Sequence, residues 1–484
     1  MKRRGGARAD LAAFAASTPM AALVLSLATS ARGDVPLPPW IDDGDVPPPA
    51  WAQSVARRPD DSGLFGNPDE AEAPAGASRA GPEAPAGLVL FAEPNRAGGR
   101  RGVSAPGATL PFFAAKRGSG CTGSWWLVGP LAWACSDDAV LSTEAPSFPS
   151  RVLDGAGLAT QYMFVRSGGA SAYASLESAQ DGEADEELEG GWAVATVDQR
   201  AAGAPTTREN ARASPRANTR AWVRTTKGLW LSQQDVTPAR PSLFQGEKVD
   251  DGRLDVAWVL SDRAPVWPLP AASPKDTASA KDKPSPKDKP GKPVDARVRF
   301  QVVHVSGESG PRVQIGDSAW MLATDLARPR LAAPPAALTG RDERWIDVDT
   351  VNQTLVAYQG TRPVYATLVS TGLAARGAGD ATPLGTHRVW VKLLASDMGN
   401  LEKEDRDPHY SLEDVPYVQF FDDAVGLHGT YWHGDFGHPH SHGCVNLSPL
   451  DARWMFDFTA PHLPAGWAAA YPTSIEPGSL VRVR

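Results

Sequence analysis

The stretch LHGTYWHGDFGHPHSHGCVNLSP, Leu427 to Pro449, decides how the C-terminal part of this 484-residue chain is read. It carries His428, His433, His438, His440 and His442 together with Cys444. A cysteine used as a nucleophile needs a base to make the thiolate, donors for the oxyanion, and backbone that leaves the sulfur reachable. Gly443, between His442 and Cys444, has no side chain to obstruct approach and is free to take unusual φ. His428 lies far enough upstream for a hairpin to return to the same sheet edge and set its imidazole beside the sulfur. An imidazole there would lower the effective thiol pKa by forming an ion pair, and would later return the proton to a leaving amine. The density of histidines also raises a metal site. Zinc ligands usually come in fixed pair spacings on a helix or knuckle, however, and this stretch is a loop broken by Gly and Pro. No metal and no cofactor is expected, and His433, His438 and His440 read as loop residues facing substrate. Cys444 stands among small and polar residues, not in an apolar run, which argues against a buried structural thiol.

Working outward, Ser448 is a good N-cap, Pro449 suits the first helical position and Asp451 falls in the first turn. A helix is predicted over Pro449–Phe458, with Leu450, Trp454 and Phe458 on one face. The terminal LVRVR reads as a last strand. Upstream, ERWIDVDTVNQTLVAYQGTRPVYATLVSTG alternates apolar and polar residues, with turns at Val351-Asn352-Gln353 and Gln359-Gly360-Thr361, a β-meander. THRVWVKLL, VPYVQFF and VGLHG read as further strands. Residues 341–484 are therefore expected to form a β-rich domain with one short packed helix.

The pattern His428-Gly429-Thr430, a gap, then Ser441-His442-Gly443-Cys444, Val445 and Asn446 resembles the L,D-transpeptidase (YkuD-type) motif. TPLGTHRVW, Thr382 to Trp390, is similar to that family's Thr-Pro-x-Gly-Thr turn. The resemblance covers Arg341 to the C-terminus, less than a third of the chain. It implies Cys444 as nucleophile, His428 as general base and acid, and His442 as a second imidazole shaping the site. It also implies an oxyanion hole from the Gly443 and Cys444 amides, with Ser441 and Asn446 in support. Gly429 stands where some members have Ser, so any orienting role there falls to its backbone carbonyl. Tyr431, Trp432 and His433 are candidates to line the substrate. The implied reaction is acyl transfer on peptidoglycan stem peptides. Cys444 would attack the bond between an L-centre diamino acid and the terminal D-alanine of a tetrapeptide and form a thioester. An amine acceptor would complete a 3-3 cross-link, water would make the enzyme a carboxypeptidase, and a protein's lysine would make it an anchoring enzyme. The family further implies acylation by carbapenems. The rival from another class is a non-catalytic wall-binding structural protein; the retained thiol and both histidines argue against it.

Upstream the chain repeats itself. Trp133, Trp230 and Trp320 are each followed five positions later by Asp138, Asp235 and Asp325. Strand-like pieces precede each, near residues 91, 169 and 263. The spacing resembles bacterial SH3-like domains, with units at 84–145, 155–242 and 253–330, the last carrying a Lys/Pro-rich insertion at 273–293. Such units would bind or target the cell wall, or the Trp residues are simply core. The fold expected for the whole is mainly β: three small SH3-like β-barrel repeats, then the catalytic domain.

The N-terminus reads as an export signal over residues 1–33, with Lys2, Arg3, Arg4 and Arg8 before an apolar run and a small-x-small site at Ala31-Arg32-Gly33. Residues 34–83 are Pro/Ala-rich with few large apolar groups and read as a disordered linker. Export places the chain in the periplasm or cell envelope. The net charge of -8 gives no reason to expect nucleic acid as a partner. Of the three cysteines, Cys121 and Cys135 lie in one Trp-rich segment and are expected to pair in an oxidising compartment. Cys444 is then the odd thiol.

Overall fold

The alternating run from Arg344 folds into three antiparallel strands, Arg344–Asp349, Thr354–Gln359 and Arg362–Leu368. The computed structural model describes residues 54–58, 87–148, 153–202, 221–268, 292–373, 380–401 and 409–484, and their side chains except at 180 and 198–202. The expected signal at 1–33, most of the linker at 34–83 and nearly all of the insertion at 273–293 lie outside the described residues. The C-terminal strand Leu480–Val483 does not add to the end of the meander. It runs parallel to Arg344–Asp349 and antiparallel to Gly385–Arg388. Asp347, 1% exposed, fixes this seam by pairing with Arg482 at 2.6 Å and Arg484 at 2.9 Å. Glu247–Lys248 completes the six-stranded sheet on the Arg362–Leu368 edge.

A second sheet packs against the first. Val391–Gly399, Ser411–Asp422 and Val425–Gly429 are antiparallel neighbours, and Trp467–Ala470 pairs with the first of them. The stretch expected as one strand, THRVWVKLL, is two, because Val389 and Trp390 carry it from one sheet to the other. Ile346, Val348, Leu355, Leu427, Val445, Leu447 and Met455 are fully buried in the core of this domain. Each such side chain contributes about 1.5–3 kcal/mol by leaving water.

The helix Pro449–Phe458 begins as expected, with Ser448 Oγ accepting the Asp451 N–H at 3.1 Å. Its buried face is different from the expected one. Ala452, Met455 and Phe456 go inward with Asp451, while Leu450, Trp454 and Phe458 are half-buried. Trp454 stacks on Tyr365 at 4.1 Å and on Phe458 at 5.0 Å. The reason is the carboxylate of Asp451, which is fully buried and takes the innermost place. It accepts from Tyr365 Oη at 2.6 Å, Gly246 N at 2.9 Å, Thr367 Oγ1 at 2.6 Å and Ser448 Oγ at 2.9 Å. Burial pushes this carboxyl upward, and the four donors oppose the shift. Asp451→Ala strands those donors in the core, at about 1–3 kcal/mol each. The variant is expected to lose at least about 3 kcal/mol, read as a lower urea midpoint at unchanged slope.

The three upstream repeats share one strand order. The second unit has Gln161–Val165, Ala170–Tyr173, Glu186–Leu188, Ala193–Ala202, Ala221–Thr225, Trp230–Ser232 and Val236–Pro238. The third has Val256–Val259, Ala264–Pro268, Asp295–Arg297, Val302–Ser309, Arg312–Ile315, Ala319–Leu322 and Leu326–Ala327. Numbered within the unit, the lateral order in both is third, second, sixth, fifth, fourth, first, seventh. The first unit has the same order, with its fourth strand split into Leu110–Pro111 and Ala114–Lys116. Its first strand is Ser54–Arg57, which lies inside the stretch expected to be a disordered linker. Val55 in that strand is fully buried against Leu88, Leu90 and Leu110, so this short segment does bury enough to be ordered.

Third and seventh strands do not pair with each other in any unit among the described residues, so the expected closed barrels do not form. The repeated Trp on each sixth strand faces an aromatic residue on the second: Phe91, Tyr173 and Trp267. Trp133 and Trp320 are buried and Trp230 half-buried, which makes them core. The repeated Asp residues have a backbone role. The carbonyls of Asp138, Asp235 and Asp325 accept the N–H that follows each first strand, from Arg58, Arg166 and Leu260, at 2.8, 2.8 and 2.9 Å. Cys121 and Cys135 form the expected disulfide. The units are joined to the C-terminal domain: Arg100–Ser104 pairs with Trp467–Ala470, and Ala193 meets Leu412.

Candidate active site

His428 and Cys444 come together through a parallel pairing, not the hairpin expected. Val425–Gly429 lies beside Val445–Leu447 with Leu427 opposite Val445 and His428 opposite Asn446. Parallel neighbours need a connection of about a dozen residues or more, which the His-rich loop supplies. Side chains alternate along a strand, so His428, Asn446 and, just before the strand, Cys444 occupy the same face.

His428 is 2% exposed, and its Nδ1 lies 3.2 Å from the Gly429 carbonyl, the backbone contact anticipated for that position. With its proton on Nδ1, the ring keeps a lone pair on Nε2. Burial pushes its pKa down to about 4, so the ring is neutral at neutral pH. Cys444 is half-buried and unpaired, its Sγ 3.8 Å from the Ala424 carbonyl. Burial pushes this thiol above its ordinary value of 9.0. The two shifts run in opposite directions, and the resting pair is a neutral thiol and a neutral imidazole. That corrects the expected ion pair: low polarity around both groups disfavours separated charge.

The backbone before the sulfur is held tightly. Gly443 has φ of +127°, a conformation that strains any other residue. Its carbonyl accepts from Thr382 Oγ1 at 2.7 Å, and that hydroxyl accepts the Gly372 N–H at 2.9 Å. Ser441 Oγ accepts the Gly443 N–H at 3.2 Å and donates to the Cys444 carbonyl. The Gly443 amide is therefore engaged within the loop, which weakens its candidacy as an oxyanion donor. Thr382 was not singled out from the sequence as a side chain; the Thr-Pro-x-Gly-Thr turn was the signal that carried it.

The other candidates divide. Trp432 is half-buried with its ring 5.6 Å from that of His428. His433 is half-buried, its ring 4.1 Å from His440 and its Nε2 2.8 Å from the terminal amide of Asn446. His442 is exposed and stacks on Tyr410 at 5.4 Å. Tyr431, expected to line the substrate, is 1% exposed. It stacks on Tyr162 of the second repeat at 3.7 Å and donates to the Glu413 carbonyl at 2.9 Å. Its size and hydroxyl are used in packing, so it does not face a ligand.

The fold and this site define a β-rich domain with a reachable thiol beside a buried neutral imidazole. Residues 343–483 match the profile of the L,D-transpeptidase catalytic domain (YkuD), and this domain belongs to that family. No curated protein matches the chain. Among solved structures it is similar to an L,D-transpeptidase of Enterococcus faecium, with 22% identity over 29% of this chain and 50% of that one, and a TM-score of 0.23. An L,D-transpeptidase of Stackebrandtia nassauensis gives 26% identity over 31% and 58%, with a TM-score of 0.21. One of Mycobacterium smegmatis gives 18% over 37% and 80%, with a TM-score of 0.24. The chain spans about half the length of the enterococcal protein it matches.

Proposed function

We propose that the chain is a cysteine L,D-transpeptidase acting on peptidoglycan stem peptides in the bacterial envelope. The observation that carries this reading is His428 on one strand and Cys444 immediately before its parallel neighbour, where His428 lies opposite Asn446. His428 Nε2 takes the thiol proton as Sγ bonds to the carbonyl carbon of the L-centre diamino acid. The carbon–nitrogen bond then breaks, and His428 passes the proton to the departing D-alanine amine. A thioester remains. An amine on a neighbouring stem attacks it, gives up a proton to His428 and closes a 3-3 cross-link, while the thiol is regenerated. Because the resting pair is neutral, the proton moves only as the sulfur attacks. The decisive test is incubation of the protein with tetrapeptide muropeptides. Cross-linked dimers with equimolar free D-alanine are expected; D-alanine without dimers would indicate a carboxypeptidase, and neither product would overturn the reading.

A β-lactam offers a strained acyl carbon to the same sulfur. A carbapenem is expected to give a one-to-one covalent adduct, seen by intact mass and mapped to the peptide holding Cys444. An adduct persisting in Cys444→Ala would place the reactive group elsewhere.

A further inference from the structure

The loop that joins His428 to Cys444 is gripped by the third repeat. Arg299 of that repeat pairs with Asp435 at 2.5 Å. Its Nε is buried with no hydrogen-bond partner among the described residues, so Asp435 is the guanidinium's main compensation. Beside it, Phe300 sits at φ of +65° and packs on Phe244 at 4.8 Å, and Phe244 stacks on Phe436 of the loop at 6.1 Å. A bulky residue at positive φ is strained, and such strain persists only where surrounding contacts fix it. Phe436 is fully buried.

From Asp435 a polar chain runs inward. The Asp435 N–H donates to His433 Nδ1 at 3.1 Å. A neutral ring that accepts at Nδ1 carries its proton on Nε2. The terminal amide of Asn446, 2.8 Å from that Nε2, must then present its oxygen, because two donors do not bond. The Asn446 amide has one buried end without a partner, and this orientation makes that end the NH2. Asn446 is 2% exposed and lies on the face that carries His428 and Cys444. An unpartnered buried donor two residues along the strand from a thiol, on the same face, is available to a thiolate or an oxyanion formed there.

We infer that Arg299 is a positioning residue for the active site: through Asp435, His433 and Asn446 it holds an amide donor on the face that carries Cys444. The third repeat is then part of the active-site assembly and not a detachable module. This rests on Cys444 and His428 being the reacting pair, so the test uses no peptidoglycan. Alkylation of Cys444 by iodoacetamide is followed against pH in the full chain. Arg299→Glu, which repels Asp435, is expected to move the alkylation midpoint up by about one pH unit, the scale of one hydrogen bond to a charged group. Arg299→Glu combined with Asp435→Arg should restore it, and Arg297→Ala, altering a neighbouring exposed pair, should leave it unchanged. Should Arg299→Glu fail to fold, the neutral Arg299→Gln is expected to give a smaller shift in the same direction. An unmoved midpoint in the folded variant, or a shift that the charge swap does not reverse, overturns the assignment whether or not the protein cross-links stem peptides.

Discussion

Cys444→Ala is expected to abolish D-alanine release from tetrapeptide muropeptides while the protein still folds. The side chain is half-buried and its polar contacts are a 3.8 Å approach to the Ala424 carbonyl and one with the Gly426 backbone, so shortening it removes little packing. Chemically the loss is complete, because a thioester needs the sulfur. Removing a nucleophile typically costs a factor of about a thousand or more in turnover. Circular dichroism melting should coincide with wild type within a few degrees, as expected for a partly exposed position. Turnover within about tenfold of wild type would rule out the covalent route.

His428→Ala should cost about a hundredfold or more, the scale of losing a positioned general base and acid. The pH profile carries a sharper expectation. The ring must be neutral to accept the thiol proton, and burial holds its pKa near 4. Protonation below that value removes the base, so activity should fall as pH drops through about 4. The fall is not expected near 6.5, where a solvated histidine titrates. In His428→Ala the acid limb should vanish with the rate. An acid limb near 6.5 in the wild type would mean that water reaches the ring in the working state.

Much of this was legible in the sequence because the signals were local. The 344–368 meander follows from short apolar, partly alternating runs parted by two turns, and Ser448-Pro449 marks the helix start by capping chemistry alone. The motif around Cys444 drew attention to the loop that lies before the Val445–Leu447 strand, opposite the strand that holds His428. What the sequence hid depends on contacts between distant segments. Nothing in Ser54–Arg57 announces a strand, since its partners lie at residues 110–111 and 139–142. Asp451 looks like an ordinary first-turn acid until Tyr365 and Thr367 arrive to receive it. Tyr431 reads as a substrate-facing aromatic because the ring that covers it belongs to another repeat. The spacing from His428 to Cys444 is equally compatible with antiparallel and parallel return, and only the sheet decides.

The C-terminal strand has a kinetic consequence. Leu480–Val483 lies between Arg344–Asp349 and Gly385–Arg388, so Trp345 finds its neighbour at Leu480, across nearly the whole domain. Bringing such remote segments together costs chain entropy before any contact repays it, and topologies of this kind fold slowly. By contrast, Cys121 and Cys135 are 14 residues apart, and the longest pairing within a repeat, Ser54 with Ser142, spans 88 residues (142 − 54) against 135 (480 − 345) for Trp345 with Leu480. The order expected in refolding is therefore repeats first and the catalytic sheet last, with the Arg344–Asp349 edge unprotected in between. During that interval the protein is most exposed to aggregation and proteolysis, and hydrogen exchange pulsed through refolding should find the Arg344–Asp349 amides among the last to be protected.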